Sequence, residues 1–300
     1  MSIPASCRNA ALLLVGLLSA AAASSQTAPS PCAPSAQGIP QRSTLARGAS
    51  EFIDAVAGMT EPERDLAIRS DLLAGNVPAF LRNVLPATVK AQLPGGETVR
   101  LTLCVLADYL SIGSDSDFLR VPMGLDTALA VAGSFGFTLP TRRIVDLIYR
   151  QAAVRLSPQP QPAGERMRST PYYVQHQALV EEQRVAAGGL QGALTAGHKK
   201  DLVLTSRLWS QPGRVPIYGW HRGIGAPIQP LSTVHGASYA DYSHGVRLIS
   251  NVVFVNGQPR SIYEVLADKL RAPLLSDEGP LPRVAELRAG VLTLASAAGH

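Results

Sequence analysis

Three of the six histidines of this 300-residue chain lie close together in residues 220–247. They are His221, His235 and His244, and the segment WHRGIGAPIQPLSTVHGASYADYSHGVR also contains Asp241. An imidazole can accept a proton from water or from a nucleophile, and a nearby acidic or imidazole group can orient its other nitrogen. The segment therefore predicts a hydrolytic site in which His244 is the general base and Asp241, His235 and His221 are the other catalytic residues.

Aromatic and basic side chains in the same segment are candidates for substrate contact. They are Trp220, Tyr239, Tyr242 and Arg247. Several glycines separate them from the histidines, and glycine permits tight turns and close approach of the backbone. We expect these four residues to surround the catalytic group.

Two other interpretations of this segment remain open. His221, His235, Asp241 and His244 could bind zinc through nitrogen and oxygen atoms and leave one position for water. Alternatively, the tyrosines and histidines could hold a glycine-rich loop together by hydrogen bonds. The sequence contains neither H-E-x-x-H nor G-x-S-x-G, so no spacing separates these alternatives.

The histidines must be positioned by β-strands near the end of the chain. Residues 214–222 and 244–249 alternate in a way that predicts two strands. Alternation would place His221 on the same face as Ile217, and His244 at the start of the second strand. An imidazole at the edge of an apolar layer is partly desolvated and can still reach a substrate.

Local signals predict several other elements. Residues 77–85 are expected to form a short helix and residues 98–106 a strand, because apolar residues alternate along the latter. Thr141 is expected to be the N-cap of a helix, and a further helix is expected to begin at Thr170. The His198-Lys199-Lys200-Asp201 sequence is typical of a charged turn that leads into a strand.

The order of these elements predicts an α+β fold. A helical N-terminal half with one or two strands spans residues 49–156, and a strand-rich part that carries the candidate site spans residues 163–300. Asn256-Gly257 predicts a tight hairpin, and a C-terminal helix follows it. We expect a mostly antiparallel sheet, and both parts to belong to one unit.

The N-terminus predicts export. Residues 1–23 contain an apolar run, AALLLVGLLSA, followed by small residues, which is typical of a signal peptide. Residues 24–48 are rich in Pro, Ser and Ala and predict a disordered linker. Cys32 and Cys104 would then be the cysteines of the mature chain, either as one disulfide or as two thiols. We expect a periplasmic or extracellular protein.

Composition limits the classes of partner that this protein could bind. Lys and Arg number 27 against 22 Asp and Glu, and aromatic residues make up 5% of the chain. These charges are dispersed, whereas a nucleic-acid surface needs clustered basic residues and stacking rings, so nucleic acid is not expected. No second apolar stretch of about 20 residues follows the leader, so no stable membrane span is expected. The remaining hypotheses are a hydrolase of an envelope or extracellular polymer and a non-catalytic module that binds glycan or protein.

One segment resembles a known family. Residues 139–156, LPTRRIVDLIYRQAAVRL, are similar to the helix that carries the catalytic cysteine in cell-wall peptidases of the NlpC/P60 type. Asp201-Leu202-Val203 and Tyr242-Ser243-His244-Gly245-Val246 would resemble later strands of that family, the second bearing its histidine. Thr141 stands where the family has cysteine, so the thiol nucleophile of that chemistry is absent.

Overall fold

The computed structural model describes Met1 and residues 30–289, and these residues form an α+β fold, as the sequence predicts. Apart from Met1, the predicted signal peptide lies outside the described residues, as do residues 24–29 of the predicted linker. In residues 30–289, no helix has the length and apolar character that crossing a bilayer requires.

Residues 30–289 contain eight α-helices. In chain order the α-helices are α1 (Ala49–Val56), α2 (Glu61–Leu73), α3 (Leu125–Phe135), α4 (Arg142–Gln151), α5 (Thr170–Ala186), α6 (Arg207–Ser210), α7 (Ile262–Ala267) and α8 (Ala272–Leu275). Short 3-10 helices occur at Ala33–Gly38, Ala79–Arg82, Glu165–Arg168 and Pro282–Ala289.

The strands are short except for the first two and one hairpin. They are β1 (Val84–Gln92), β2 (Thr98–Leu106), β3 (Ser111–Gly113), β4 (Phe118–Arg120), β5 (Phe137–Thr138), β6 (Val154–Arg155), β7 (Thr195–Ala196), β8 (Lys200–Leu202), β9 (Ile217–Gly223), β10 (Ala226–Ser232), β11 (His244–Gly245), β12 (Ile249–Ser250), β13 (Val252–Val255) and β14 (Gln258–Ser261).

Two sheets organise the molecule. The larger has the order β14-β13-β2-β12-β5, with β1 also paired to β2, and all of its pairings are antiparallel. Strands from both halves of the chain therefore share one sheet. The smaller sheet has the order β10-β9-β8-β11, in which β8 and β11 are parallel.

Strand β2 has the predicted bounds, and its alternation explains its central position. Val99, Leu101 and Leu103 are fully buried, so this face of the strand forms part of the core. Helix α4 also begins as predicted, because the Thr141 side-chain oxygen accepts a hydrogen bond from the Ile144 N–H at 3.2 Å. The Thr141 hydroxyl donates in turn to the Leu275 carbonyl.

Two predicted elements differ in the structure. Residues 77–85 were expected to be a helix, but only Ala79–Arg82 is helical, and β1 begins at Val84. A short apolar run does not distinguish helix from strand, and pairing along β2 decides the outcome. The strand expected at residues 244–249 is interrupted, because the Val246 and Leu248 carbonyls bond to the Leu110 and Leu106 N–H groups as the chain passes from the smaller sheet to the larger.

Residues 30–48 also differ from the expected linker. Cys32 forms a disulfide with Cys104 of β2, and Ile39 is buried. Arg42 donates to the Ala46 carbonyl at 2.7 Å and to Asn76 at 3.0 Å. Composition favoured disorder because the segment is polar, but a cross-link and a few buried side chains are enough to order it.

The last residue of α4 covers the outer edge of β1. The Gln151 amide accepts from the Thr88 N–H at 3.0 Å and donates to the Thr88 carbonyl at 2.7 Å. One side chain therefore satisfies both backbone groups of an edge residue.

Removal of the disulfide is expected to destabilise the fold. Cys32 and Cys104 are 72 positions apart, and closing a loop of that size restricts the unfolded chain. A Cys32→Ala/Cys104→Ala variant should lose about 2–4 kcal/mol of unfolding free energy. Urea unfolding with and without reductant measures this loss. Reductant should destabilise the wild type and leave the variant unchanged, and equal stability of wild type and variant without reductant would contradict the expectation.

Candidate functional site

The parallel pairing of β8 with β11 creates a polar layer in the interior. Lys200 lies beside His244, and Asp201 lies beside Gly245. Gly245 is required here, because a Cβ would come within 2.6 Å of the Tyr109 ring and 2.8 Å of the Lys199 Cβ. Neighbouring residues of a strand point to opposite faces, so the side chains of Lys200 and Asp201 lie in two different environments.

The first face contains a buried carboxyl group. The Tyr109 hydroxyl donates to Asp201 Oδ2 at 2.8 Å. The Arg247 guanidinium lies 4.4 Å from the centre of the Tyr109 ring and donates to the carbonyls of Leu106, at 2.8 Å, and Thr195. Burial raises the pKa of Asp201 to about 6, although Arg247 opposes the shift. The Asp201 carboxyl can therefore exchange a proton in mildly acidic solution.

His221 faces the same side and is paired with a carboxylate that the sequence did not single out. His221 Nε2 lies 2.8 Å from Asp146 Oδ1. The Tyr218 hydroxyl donates to the same oxygen at 2.9 Å. The imidazole stacks on Tyr149, with ring centres 4.5 Å apart and planes inclined by 18°. Asp146 and Tyr149 are three residues apart in α4 and so share one side of the helix.

Backbone conformation in β9 explains the orientation of His221. Gly219 and Trp220 both have positive φ, at 112° and 57°. That conformation is uncommon for a bulky residue and breaks the alternation of the strand. His221 consequently contacts Asp146 together with Tyr218, instead of sharing the face of Ile217 as simple alternation predicted. A strained residue directly beside a paired histidine is typical of a functional site.

A small cleft lies between these groups. Its empty volume is about 200 Å³, and its walls include Tyr109, Tyr149, Asp201, His221 and Arg247. A Cβ on Gly219 would lie 3.4 Å from Asp201 Oδ2 and 3.5 Å from His221 Cε1, so bare backbone separates the two side chains. As it stands, the cleft has no room for a water molecule. A substrate group could therefore enter only if the side chains that line the cleft move.

His244 lies on the other face, beside Asp241. His244 Nε2 is 3.8 Å from Asp241 Oδ2, and neither ring nitrogen has a hydrogen-bond partner among the described residues. Burial lowers the pKa of His244 to about 4. Burial alone would raise the pKa of Asp241, but His244, Lys200 and hydrogen bonds from Ser243 keep it below its usual range. A neutral imidazole therefore lies beside an ionised carboxylate.

Two stacked rings cover this second pair. The half-buried Tyr239 ring stacks on His235, with centres 3.9 Å apart, and lies 5.6 Å from the His244 ring. The Tyr239 hydroxyl donates to Asp241 Oδ2 at 3.3 Å, and burial raises its pKa to about 12. His244 itself is only 1% exposed. Substrate access to His244 would require displacement of these rings.

The structure therefore divides the four predicted catalytic residues. It brings His235, Asp241 and His244 together but places His221 on the opposite face with Asp146. The zinc interpretation needed all four side chains around one ion, and this arrangement does not provide that. Within residues 30–289, no group of three or more His, Cys, Asp or Glu side chains is arranged to hold a metal ion.

Two of the four predicted substrate-binding residues, Trp220 and Tyr242, have packing roles. Trp220 lies under the Lys200 ammonium, with Nζ 4.8 Å from the ring centre. The Tyr242 hydroxyl accepts from the Gln161 N–H at 2.6 Å. Trp220 and Tyr242 are 7% and 1% exposed, so their surfaces are occupied by protein. Arg247 lines the cleft, and Tyr239 is half-buried.

The His198–Asp201 sequence is not a solvated turn. His198, Lys199 and Asp201 are all 2% exposed or less. Asp108 contacts Arg120 at 2.6 Å and His198 Nε2 at 3.3 Å. Burial lowers the pKa of His198 to about 4 and that of Lys199 to about 7. Each buried polar group has a partner: His198 faces Asp108, the Lys199 ammonium donates to the Tyr242 carbonyl at 2.5 Å, and Asp201 accepts from the Tyr109 hydroxyl.

Sequence reasoning missed Asp146, Tyr149, Tyr109 and the role of Asp201 in the cleft. One signal was available: Asp146 interrupts the otherwise apolar sequence IVDLIY of α4. A carboxylate at such a position needs a partner, and His221 and Tyr218 provide it.

Comparison with known proteins gives no further guide. No family model, no curated protein and no solved structure matches this chain. The similarity of residues 139–156 to the NlpC/P60 helix is thus not accompanied by a match to a family model. Thr141 in that segment is the N-cap of α4.

Acidification is expected to destabilise the protein. His198 and His244 have pKa values of about 4 when folded against 6.5 for an ordinary histidine, so the unfolded chain binds more protons between these values. Stability should therefore fall as the pH drops from about 6.5 to about 4. The raised pKa of Asp201 acts in the opposite direction over part of this range, but burial also holds the pKa of His176 well below 6.5, so it is one group against three histidines.

Urea unfolding at several pH values measures this dependence. A His244→Phe variant should show a smaller loss of stability on acidification than the wild type, and His235→Phe, at a half-exposed position, is the matched control. Stability that stays constant from near neutral pH to pH 4 in the wild type would contradict the expectation.

Proposed function

We propose that this protein is an exported hydrolase of an envelope or extracellular polymer, and that the His221–Asp146 pair is its general base. The observation that carries the proposal is the 2.8 Å contact between His221 Nε2 and Asp146 Oδ1 at a cleft that Asp201 also lines. A histidine oriented by a carboxylate, with an acidic group across a small cleft, is the arrangement that acid–base hydrolysis uses.

Accessibility favours His221 over His244 as the base. The Asp146 side chain is 27% exposed, and its partner His221, which is 2% exposed, lines the cleft. The Asp241 and His244 side chains are 2% and 0% exposed and lie behind the Tyr239–His235 stack. The former pair is closer to solvent through Asp146, and movement of the side chains around the cleft would admit a substrate to His221.

The residues divide the chemistry as follows. Asp146 accepts a hydrogen bond from Nε2–H of His221, which leaves Nδ1 free to take a proton from an attacking water molecule. The water oxygen bonds to the electrophilic centre of the substrate, and the scissile bond breaks. Asp201, whose pKa of about 6 favours the protonated form in mildly acidic solution, donates a proton to the leaving atom. Tyr109 and Arg247 hold Asp201 in position.

Export is supported by cysteine chemistry. The Cys32–Cys104 disulfide is typical of proteins in oxidising compartments such as the periplasm or the extracellular space. The leader-like residues 1–23 agree with this proposal.

Loss of the base is expected to abolish hydrolysis and to spare the fold. His221→Gln and Asp146→Asn should each lower kcat/KM by about 10²- to 10⁴-fold, since each removes proton transfer or its orientation. Release of reducing ends from cell-wall and extracellular polysaccharide preparations measures activity, and circular dichroism checks folding. His235→Gln is the control and should keep wild-type activity. Equal activity of folded His221→Gln and wild type would refute the proposal, and wild-type binding without cleavage would favour the non-catalytic module.

The dependence of kcat/KM on pH should reflect the protonation of Asp201. Because the proton-bearing form is the active acid, kcat/KM should fall as the pH rises above about 6. An Asp201→Asn variant should be slow throughout and should lack this decline. A wild-type rate that is constant from about pH 5 to about pH 8 would exclude Asp201 as the acid.

A further inference from the structure

Three arginines of α4 lie on the same side of the helix as Asp146. Arg142, Arg143 and Arg150 lie four, three and four residues from Asp146, so all three share its side of the helix. Arg143 and Arg150 are exposed. The carboxylate that orients His221 is therefore bordered by guanidinium groups along the helix.

The cationic side chains lie on both flanks of His221. On one flank, the Arg142 guanidinium is 6.0 Å from the centre of the Tyr218 ring, which itself contacts Asp146. On the other, exposed Arg155 of β6 pairs with Ala196 of β7, which lines the cleft together with Tyr149. Tyr149 is the ring on which His221 stacks.

Most of this positive charge is not neutralised. Arg142 pairs with Asp277 at 2.5 Å, and Asp146 is occupied by His221 and Tyr218. Among the residues that the structure describes, Arg143, Arg150 and Arg155 form no ion pair with a carboxylate. The Arg143 guanidinium donates through Nε to the Leu274 carbonyl at 3.2 Å, so it is engaged in part, whereas no carboxylate of the described residues occupies Arg150 or Arg155.

We infer that the polymer is an acidic polysaccharide, whose carboxylates bind Arg143, Arg150 and Arg155 beside the His221–Asp146 pair. The inference rests on the proposed function and names its substrate class. A guanidinium binds a carboxylate through two parallel hydrogen bonds, which suits regularly spaced acidic groups. Nucleic acid is disfavoured because Tyr149 and Tyr218 are only 5% and 6% exposed, so neither offers a face on which bases could stack.

Binding measurements test this inference without any need for catalysis. Affinities of the full chain for labelled polygalacturonate, dextran of similar length and single-stranded DNA are measured at low and at physiological ionic strength. The test variant is Arg150→Glu/Arg155→Glu. The matched control is Arg100→Glu/Arg260→Glu, which makes the same change in net charge at two exposed positions of the larger sheet. Circular dichroism and urea unfolding verify that both variants fold.

The expected result is tight, salt-sensitive binding of polygalacturonate and weak binding of dextran. The test variant should raise the Kd for polygalacturonate by at least about tenfold, and the control by much less. Equal Kd values for the two variants, equal affinity for dextran, or tighter binding of DNA than of polygalacturonate would each overturn the inference.

The two proposals fail in different ways. A His221→Gln variant should bind polygalacturonate like the wild type, since the arginines are intact. Binding as expected with no cleavage by the wild type would refute the hydrolase and leave the polymer class standing. Cleavage of a neutral glycan without affinity for polygalacturonate would do the reverse.

Discussion

The contact between Asp108 and Arg120 fixes the surroundings of the cleft. Each of these charges loses several kcal/mol of hydration on burial, and only close pairing with good hydrogen bonds offsets that loss. Arg120 contacts both Asp108 and Glu181, while Asp108 also contacts His198. Asp108 directly precedes Tyr109, and His198 lies three residues before Asp201. The same ionic group therefore holds the two chain segments whose side chains meet in the Tyr109–Asp201 hydrogen bond.

The three-residue strand β8 separates two polar clusters, one on each of its faces. Strand β8 directs Asp201 towards the cleft and Lys200 towards Trp220 and His244. Because the strand separates them, Asp201 has a raised pKa on one side while His244 has a lowered pKa on the other. Burial causes both shifts, and their directions differ because burial favours the neutral form of each group.

Elements governed by neighbouring residues were predictable from the sequence. The bounds of β2, the N-cap at Thr141 and the start of α5 at Thr170 follow from alternation and capping. The hairpin at Asn256-Gly257 has positive φ at both residues, as that dipeptide favours. Predictions were wrong where distant pairing decides the outcome, as for β1, which β2 converts from an expected helix into a strand.

The candidate site was predictable only in part. The density of histidines indicated residues 220–247, and in the structure His235, Asp241 and His244 of that segment are neighbours. His221 could not be assigned its partner, because Asp146 is 75 positions away and the two meet through packing of α4 on β9. Alternation also failed at His221, because the positive φ of Trp220 changes the face on which the side chain emerges. Conformations of this kind depend on tertiary packing and leave little trace in composition.

The Gln151 amide protects the outer edge of β1 against pairing with a strand of another molecule. It occupies the hydrogen-bonding groups of Thr88 in the way that a peptide group of an incoming strand would. An unprotected outer strand is a template for fibril growth and for fusion of sheets between molecules. Because the Gln151 amide already occupies the N–H and C=O groups of Thr88, pairing of a second molecule with β1 is unfavourable at that position.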